Sequence, residues 1–150
     1  MKAVVQRVRH ASVTVEGEKL SDIQQGLLIL LGVSTNDTKE DIDWLSKKIA
    51  NLRVFNDVNG VMNQSLIAVD GEAIVVSQFT LQASTKKGNR PSYLQAARPE
   101  KAIPLYEGFV KQFEKDLGKK VGTGEFGADM KVELLNDGPV TIIIDTENKI

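Results

Sequence analysis

The sequence predicts one α/β domain over residues 1–150, in which mostly antiparallel strands are covered by two helices. Three observations predict it. Apolar and polar residues alternate in the first third of the chain, which is the period of a half-buried strand. Two later segments repeat apolar residues at helical spacing. With 150 residues, of which 41% are hydrophobic and 26% charged, the chain is long enough for one core and has the composition of a globular protein.

The first strands follow from periodicity. The segments KAVVQRV and ASVTVEG alternate apolar and polar residues, and GEKLSD is predicted as a short strand after a turn at Gly17. GLLILLGVS is apolar on both faces, which indicates a central or fully covered strand.

The later strands are separated by turn signals. NDVNGVMNQSLIAVDG is rich in turn residues, and EAIVVSQFTLQA is predicted as one strand. Near the C-terminus, KVELLN and VTIIID flank the turn signal Asp137-Gly138 and are predicted to pair with each other.

Two helices complete the prediction. The first begins after a cap at Asp37 or Thr38, has acidic residues in its first turn, and repeats Ile42, Leu45, Ile49 and Leu52 at helical spacing. The second extends from about Pro99 to Leu117, where a stripe of apolar residues ends at Gly118, a typical helix stop.

The composition excludes several kinds of chemistry. The chain has no cysteine and a single histidine, His10, so thiolate nucleophiles and metal sites of several histidines are excluded. No apolar run approaches the ~20 residues of a membrane span, and the N-terminus lacks the core of a signal peptide. We therefore expect a cytoplasmic protein without contact to a membrane.

Charge gives one local signal. The net charge of −1 provides no general attraction to a polyanion. The cluster KKGNR (Lys86–Arg90) directly follows a predicted strand and contains a glycine, so it is predicted either as a phosphate-contacting loop or as an ordinary solvated surface.

Two short stretches have unusual patterns. In AIVVSQFTL, one strand face begins with Ile74 and Val76 and ends with Gln78 and Thr80, as when a strand leaves a core for a polar pocket or for solvent. In NDGPVTIIID, a proline stands at the head of a strand, although proline has no N–H for a sheet ladder.

Together these two stretches carry a family resemblance. SQFTL (Ser77–Leu81) and NDGPVT (Asn136–Thr141) resemble the motif pair of the D-aminoacyl-tRNA deacylases, also described as the D-tyrosyl-tRNA(Tyr) deacylase family. The resemblance continues through GLLILLGV, NLRVF, RPSY and the pattern GxFGAxM, so it covers essentially the whole chain.

The resemblance implies a fold, an activity and partners. It implies a barrel-like sheet and hydrolysis of the ester between a D-amino acid and the 3′-terminal adenosine of tRNA, without metal or cofactor. Glycine on alanine tRNA is then a further expected substrate, because glycine has no side chain to exclude. The partners are the 3′ end of aminoacyl-tRNA and a second copy of the chain, with the active site at the interface of the homodimer.

The resemblance also implies site residues. Ser77, Gln78, Phe79 and Thr80 are expected to hold the terminal adenosine and the scissile ester. Thr80 is interpreted as a positioning group, and the backbone amides of Phe79 and Thr80 as oxyanion donors. Whether the Thr80 hydroxyl, a water or the ribose 2′-hydroxyl attacks stays open, because no base accompanies Thr80 in the sequence.

The remaining implied residues concern binding. Phe126 and Met130 are expected to line the adenine pocket, with plain core packing as the alternative. Gly138 and Pro139 are expected to be joined by a cis peptide bond and to enter the active site of the partner subunit, where they exclude L side chains. Arg7 is expected to contact tRNA phosphate.

Three other functions fit parts of the pattern. One is an RNA-binding module of the same fold that does not cleave, which would tolerate loss of both motifs. A second is a metal-dependent hydrolase, for which ligands are scarce in this sequence. The third is a structural dimerisation domain, in which Gly138-Pro139 is only a corner.

Overall fold

The sheet is built around one long strand, β1 (Lys2–Val15). The computed structural model describes residues 1–150, and in it the predicted strands KAVVQRV and ASVTVEG are continuous. The first half of β1 pairs antiparallel with β3 (Gly26–Gly32), and its second half pairs antiparallel with β2 (Glu18–Ile23). The change of partner falls at Arg9 and His10, which are both exposed.

The other strands of this sheet are β6 (Glu72–Ser77), β7 (Gly122–Thr123) and β8 (Lys131–Asp145), and they give it a barrel-like shape. β4 (Phe55–Asn56) and β5 (Met62–Gln64) form a separate two-stranded antiparallel sheet. β3 and β7 lie parallel to β6 on its two sides, so the strand order is β2-β1-β3-β6-β7, and β8 pairs with β1. Ser21 on β2 donates its hydroxyl to the Thr123 carbonyl on β7, which connects the two ends of this order. The predicted fold class is confirmed.

Two helices cover the sheet. Helix α1 (Lys39–Ala50) follows Thr38, whose backbone N–H donates to the Asp41 carboxylate at 2.8 Å. Helix α2 (Pro99–Leu117) has the predicted bounds, and Gly118 ends it in the left-handed conformation with φ +79°. No helix of the chain has both the length and the apolarity that crossing a membrane requires.

The main core lies between the helices and the sheet. Phe109 and Phe113 of α2 are fully buried and stack with their ring centroids 5.7 Å apart. On β3, Leu27 and Ile29 face this core, whereas Leu28 belongs to a second apolar cluster on the other side of the sheet. Both faces of β3 are therefore buried, which confirms the prediction of a covered strand.

The segment EAIVVSQFTLQA departs from the prediction of a single strand. β6 ends at Ser77, and Phe79–Gln82 forms a short 3₁₀ helix. The backbone N–H of Gln78 still donates to the Leu31 carbonyl on β3 at 2.8 Å, after which the N–H of Leu81 donates back to the Gln78 carbonyl. The alternating pattern alone does not indicate where hydrogen bonds between strands give way to hydrogen bonds within the 3₁₀ helix.

The predicted pairing of KVELLN with VTIIID is wrong. Both segments belong to β8, and both pair antiparallel with β1, one after the other. This arrangement is possible because β1 has 14 residues and accommodates both halves end to end. The register shifts between Gln6 and Val8, opposite the Gly138–Pro139 corner, so proline needs no ladder N–H there. The Gly138–Pro139 peptide bond is cis, as the resemblance implied.

Candidate active site

A cleft of about 560 Å³ lies where β6 passes into the 3₁₀ helix. The start of α2 and the loop that contains Phe126 and Met130 form its other walls. The lining is mostly apolar, and the volume is within the range of about 300–1,000 Å³ that is typical of small-ligand sites.

Three of the predicted catalytic residues line this cleft. Ser77, Gln78 and Phe79 follow one another along its wall. Phe79 is 53% exposed, and its ring meets the ring of Tyr93 edge-on, with the centroids 5.1 Å apart. An aromatic ring that is only partly covered by the protein is available to a ligand that enters the cleft.

Thr80 is adjacent to the cleft but does not line it. Its Oγ1 accepts a hydrogen bond from the side-chain amide of Gln78 at 2.6 Å. No carboxylate, imidazole or amine forms a hydrogen bond with this hydroxyl. The arrangement holds the Thr80 side chain in place and supplies no base that would activate it as a nucleophile.

Phe126 and Met130 also line the cleft. Phe126 packs against Tyr106 of α2 with ring centroids 6.0 Å apart. Gly124 leaves room for Met130, because a Cβ on this glycine would collide with the Met130 sulfur. The structure thus brings both predicted residues to the cleft, where they also pack against the two clusters of the core.

Sequence reasoning did not identify Tyr106 and Tyr93 as site residues. Tyr106 lines the cleft and donates its hydroxyl to the Val75 carbonyl at 2.7 Å, which ties α2 to β6. Burial raises the pKa of the Tyr106 hydroxyl to about 12, with a smaller contribution from the charge of Glu107, so the hydroxyl remains a donor at neutral pH. The helical period places Tyr106 on the apolar stripe, and no local signal indicates that its hydroxyl meets a strand.

The corner in β8 is fixed by the side chain of Asn136. Its Oδ1 accepts the Val140 N–H at 2.8 Å, and its Nδ2 donates to the Thr141 hydroxyl at 2.9 Å. Gly138 has φ +139°, a conformation that side chains disfavour. Neither Gly138 nor Pro139 lines the cleft of its own chain.

Arg7 reaches this corner from β1. Its Nε donates to the Asp137 carbonyl at 2.8 Å, and its Nη1 donates to the Val54 carbonyl at 2.7 Å. The residue is only 8% exposed. The expectation that Arg7 contacts tRNA phosphate is therefore corrected, because the guanidinium is directed into the protein and supports the corner.

The charges near the cleft are few. Arg98 and Asp129 are the charged residues of the lining. No group of three or more His, Cys, Asp or Glu side chains is arranged to hold a metal ion. Besides these two charges, the cleft offers apolar packing, hydroxyl and amide groups, and backbone N–H donors.

The fold and the cleft define a barrel-like α/β protein with an apolar binding site bordered by a short polar turn. The chain belongs to the D-Tyr-tRNA(Tyr) deacylase family, whose model matches residues 4–145. The resemblance seen in the motifs is thereby confirmed over nearly the whole chain.

Similar proteins and structures agree with this assignment. The chain is 64% identical to the D-aminoacyl-tRNA deacylase of Flavobacterium johnsoniae and 65% identical to that of Bacteroides fragilis, in each case over 149 residues and 99% of both chains. The solved structure of a protein named c-Myc DNA Unwinding Element Binding Protein matches with a TM-score of 0.91 and 44% identity, covering 97% of this chain and 99% of that one. A probable eukaryotic D-amino acid tRNA deacylase, at 15% identity and a TM-score of 0.83, shares the fold over 95% of this chain and 97% of its own.

Proposed function

We propose that this protein is a hydrolase of D-aminoacyl-tRNA, which releases the free D-amino acid and tRNA. The observation that carries the proposal is family membership over residues 4–145, with Ser77, Gln78 and Phe79 together at the wall of a ligand-sized cleft. Phe79, Phe126 and Met130 give this cleft an apolar interior that suits the terminal adenine. Since aminoacyl-tRNA serves translation, we assign the protein to the cytoplasm.

The proposed mechanism relies on positioning and electrostatics. Phe79 and Thr80 begin the 3₁₀ helix, so their backbone N–H groups have no partner within that helix. One well-placed donor to the oxyanion of an acyl-transfer transition state contributes about 2.7–4 kcal/mol. Thr80, held by Gln78, positions the ester. A held water then attacks the carbonyl carbon, the bond from that carbon to the ribose 3′-oxygen breaks, and a proton from the water passes to the 3′-oxygen. The ribose 2′-hydroxyl assists by orienting the water and relaying this proton, since its own attack would only move the acyl group to the 2′-oxygen.

The proposed chirality filter requires a second copy of the chain. Gly138 and Pro139 do not line their own cleft, and β8 presents exposed apolar side chains, Leu135 at 51% and Ile143 at 71%. A homodimer that buries this strand would carry the corner of one subunit to the cleft of the other. Backbone atoms there would leave space for the α-hydrogen and exclude an L side chain. Achiral glycine, for example on alanine tRNA, would pass this filter.

The dimer can be tested separately from the chemistry. Ile143→Glu places a charge on the exposed face of β8, and we expect sedimentation velocity to show monomers where the parent chain forms dimers. Val58→Glu is the matched control, because Val58 is 98% exposed in the β4–β5 turn, outside β8. A parent chain that sediments as a monomer would contradict the proposed filter.

The activity is tested by a paired time course. D-tyrosyl-tRNA and L-tyrosyl-tRNA are incubated with and without the protein, in buffer that contains a chelator. We expect fast loss of the D ester alone. Equal loss of both esters would contradict the chirality filter, and dependence on a metal would contradict the mechanism.

A second candidate function is nucleic-acid binding without hydrolysis. It is favoured by the likeness to the 44% identical protein, whose name describes binding to a DNA unwinding element. In the same time course, binding of tRNA without loss of either ester would favour this function.

A further inference from the structure

One chain segment next to the cleft has an unbalanced charge. From Ala73 to Arg98 the sequence contains no Asp or Glu, although the chain has 20 acidic residues and a net charge of −1. The same stretch contains four cations, Lys86, Lys87, Arg90 and Arg98. This part of the chain therefore carries a local charge of +4.

The four cations are available to a ligand. All four are exposed. None of them takes part in an ion pair of the structure, and none of their side chains donates a hydrogen bond to another residue. Side-chain cations that have no ion-pair partner in the protein can attract an anion from solution.

The loop is fixed relative to the cleft at both of its ends. Ser84 and Ser92 exchange two backbone N–H···O bonds of 2.8 and 2.9 Å, which closes the loop that carries Lys86, Lys87 and Arg90. In sequence, the 3₁₀ helix precedes the loop, and Tyr93 directly follows it. Tyr93 and Phe79 contact each other at the cleft, so the loop extends from the mouth of the cleft.

We propose that this loop, together with Arg98 at the cleft lining, contacts the phosphates of the single-stranded 3′ end of tRNA. The inference rests on the proposed function, in which the terminal adenosine occupies the cleft. The strand that continues from that adenosine is a polyanion and must leave through the mouth. A flexible phosphate backbone is bound by exposed Lys and Arg side chains without reading the bases, so the contact is independent of tRNA sequence.

The cations are not equivalent. Lys86 also borders a polar groove that contains the carboxylates of Asp145 and Glu147 and only one other cation, Lys2. These carboxylates reduce the positive potential at Lys86. Lys87 and Arg90 are therefore the larger contributors, and each single alanine variant at these two positions is expected to raise KM more than Lys86→Ala does.

The test separates phosphate contact from the chemical step. The triple variant Lys86→Ala, Lys87→Ala, Arg90→Ala is compared with the parent protein on two substrates, D-tyrosyl-tRNA and D-tyrosyl-adenosine, which has no phosphate. We expect the ratio of the KM for the tRNA substrate to the KM for the nucleoside substrate to rise, with kcat on tRNA retained. A similar rise of KM on both substrates would overturn the proposal, because it would indicate damage to the cleft.

Salt dependence provides a quantitative check. Each phosphate contact to a single strand contributes about 0.7 to the slope of log affinity against log salt, so loss of three contacts reduces the slope by about 2. Between about 50 and 200 mM salt, the parent protein should then lose about 20-fold more affinity than the triple variant. Equal slopes would overturn the proposal.

The matched control removes the same charge elsewhere. Lys47, Lys111 and Lys115 are exposed residues of α1 and α2 that form no ion pair and do not line the cleft. Their triple alanine variant should retain the salt slope of the parent, and an equal loss of slope would show that only net charge matters. If the parent hydrolyses neither substrate, the proposed function fails. The phosphate contact is then tested by the affinity for tRNA that carries no amino acid. A Kd that is unchanged in the loop variant would overturn the proposed contact.

Discussion

The cleft wall Ser77–Gln82 and the corner Asn136–Thr141 carry the two motifs, but they are stabilised in different ways. The wall is held by the local Gln78–Thr80 bond and by two bonds to β3, from the Gln78 N–H to the Leu31 carbonyl and from the Gln82 side-chain amide to the Gly32 carbonyl, and it leaves Phe79 half exposed. In the corner, the Asp137 carbonyl accepts a hydrogen bond from Arg7, which lies 130 residues earlier in the chain, and the Asn136 side chain accepts the Val140 N–H. In the proposed function, the wall receives the ligand and can adapt to it, whereas the corner excludes a side chain by its shape and must not move.

The largest effect is expected from removal of the support of the corner. Arg7→Met leaves the Asp137 and Val54 carbonyls without their donor, and a buried unsatisfied group costs about 1–3 kcal/mol. We expect a loss of about 3 kcal/mol in the free energy of unfolding, measured by urea denaturation. The control is Arg9→Met, because Arg9 is 69% exposed and pairs only with the Asp137 carboxylate at 3.5 Å. It should cost less than about 1 kcal/mol, and equal losses for both variants would contradict the role of Arg7.

A smaller effect is expected from a direct change of the corner. In Gly138→Ala the new Cβ would lie 2.8 Å from Val140 Cγ2 and 3.1 Å from Arg7 Nη2, at φ +139°. We expect a loss of about 1–3 kcal/mol in stability and a reduced ratio of D to L hydrolysis in the paired time course. Gly60→Ala, at φ +76° with no atom near the new Cβ, should leave that ratio unchanged. A Gly138→Ala protein that is destabilised but keeps its D to L ratio would show that the corner does not determine selectivity.

At the wall, the expected effect is on rate. Thr80→Ala removes the acceptor of the Gln78 amide, and we expect kcat to fall about tenfold, which corresponds to about 1.4 kcal/mol. Thr80→Ser restores the hydroxyl and should recover most of the rate. A fall of Thr80→Ala to the uncatalysed rate, measured by single-turnover deacylation, would show that the hydroxyl is indispensable.

The smallest effect is expected at Asp41 of α1, which lies outside both the wall and the corner. Burial raises the pKa of Asp41, but the hydrogen bonds from Thr146 and Thr38 and the charge of the N-terminus outweigh it, and the net pKa is lowered from 3.8. A pKa that is lower in the folded state stabilises the protein above the unfolded pKa, and this stability is lost as the pH falls through the folded value. Asp41→Asn should therefore be destabilising at pH 7 and flatten the decline of stability below about pH 4, measured by urea denaturation. A change in the D to L ratio of this variant would show that selectivity is not confined to the corner.

Much of the fold could be predicted from local signals. The bounds of α2 were predicted because a proline, an apolar stripe and a stop glycine mark them within one segment. The covered strand β3 was predicted because both of its faces are apolar. In contrast, the predicted pairing of KVELLN with VTIIID rests on the turn signal between them and is wrong. A turn signal does not indicate that β1 is long enough to pair with both segments.

The site divides in the same way. Ser77, Gln78, Phe79, Phe126 and Met130 were named from motif resemblance, and the fold assembles all five at one cleft. Tyr106 and the structural role of Arg7 were not predicted, because each depends on a hydrogen bond to a backbone carbonyl more than 30 residues away. Every residue carries the same backbone carbonyl, so the pattern of side chains does not indicate which carbonyl accepts the bond.

The sequence by itself determined the family, the two helices, the covered strand and the positions of both motifs, because these depend on residue identity and on spacing along the chain. Only the tertiary structure decided that β1 holds both halves of β8, that SQFT passes from a strand into a 3₁₀ helix, and that the corner lies outside its own cleft. The physical reason is that these features depend on pairing between distant backbone groups. Those groups are chemically the same at almost every residue, and only folding selects which of them meet.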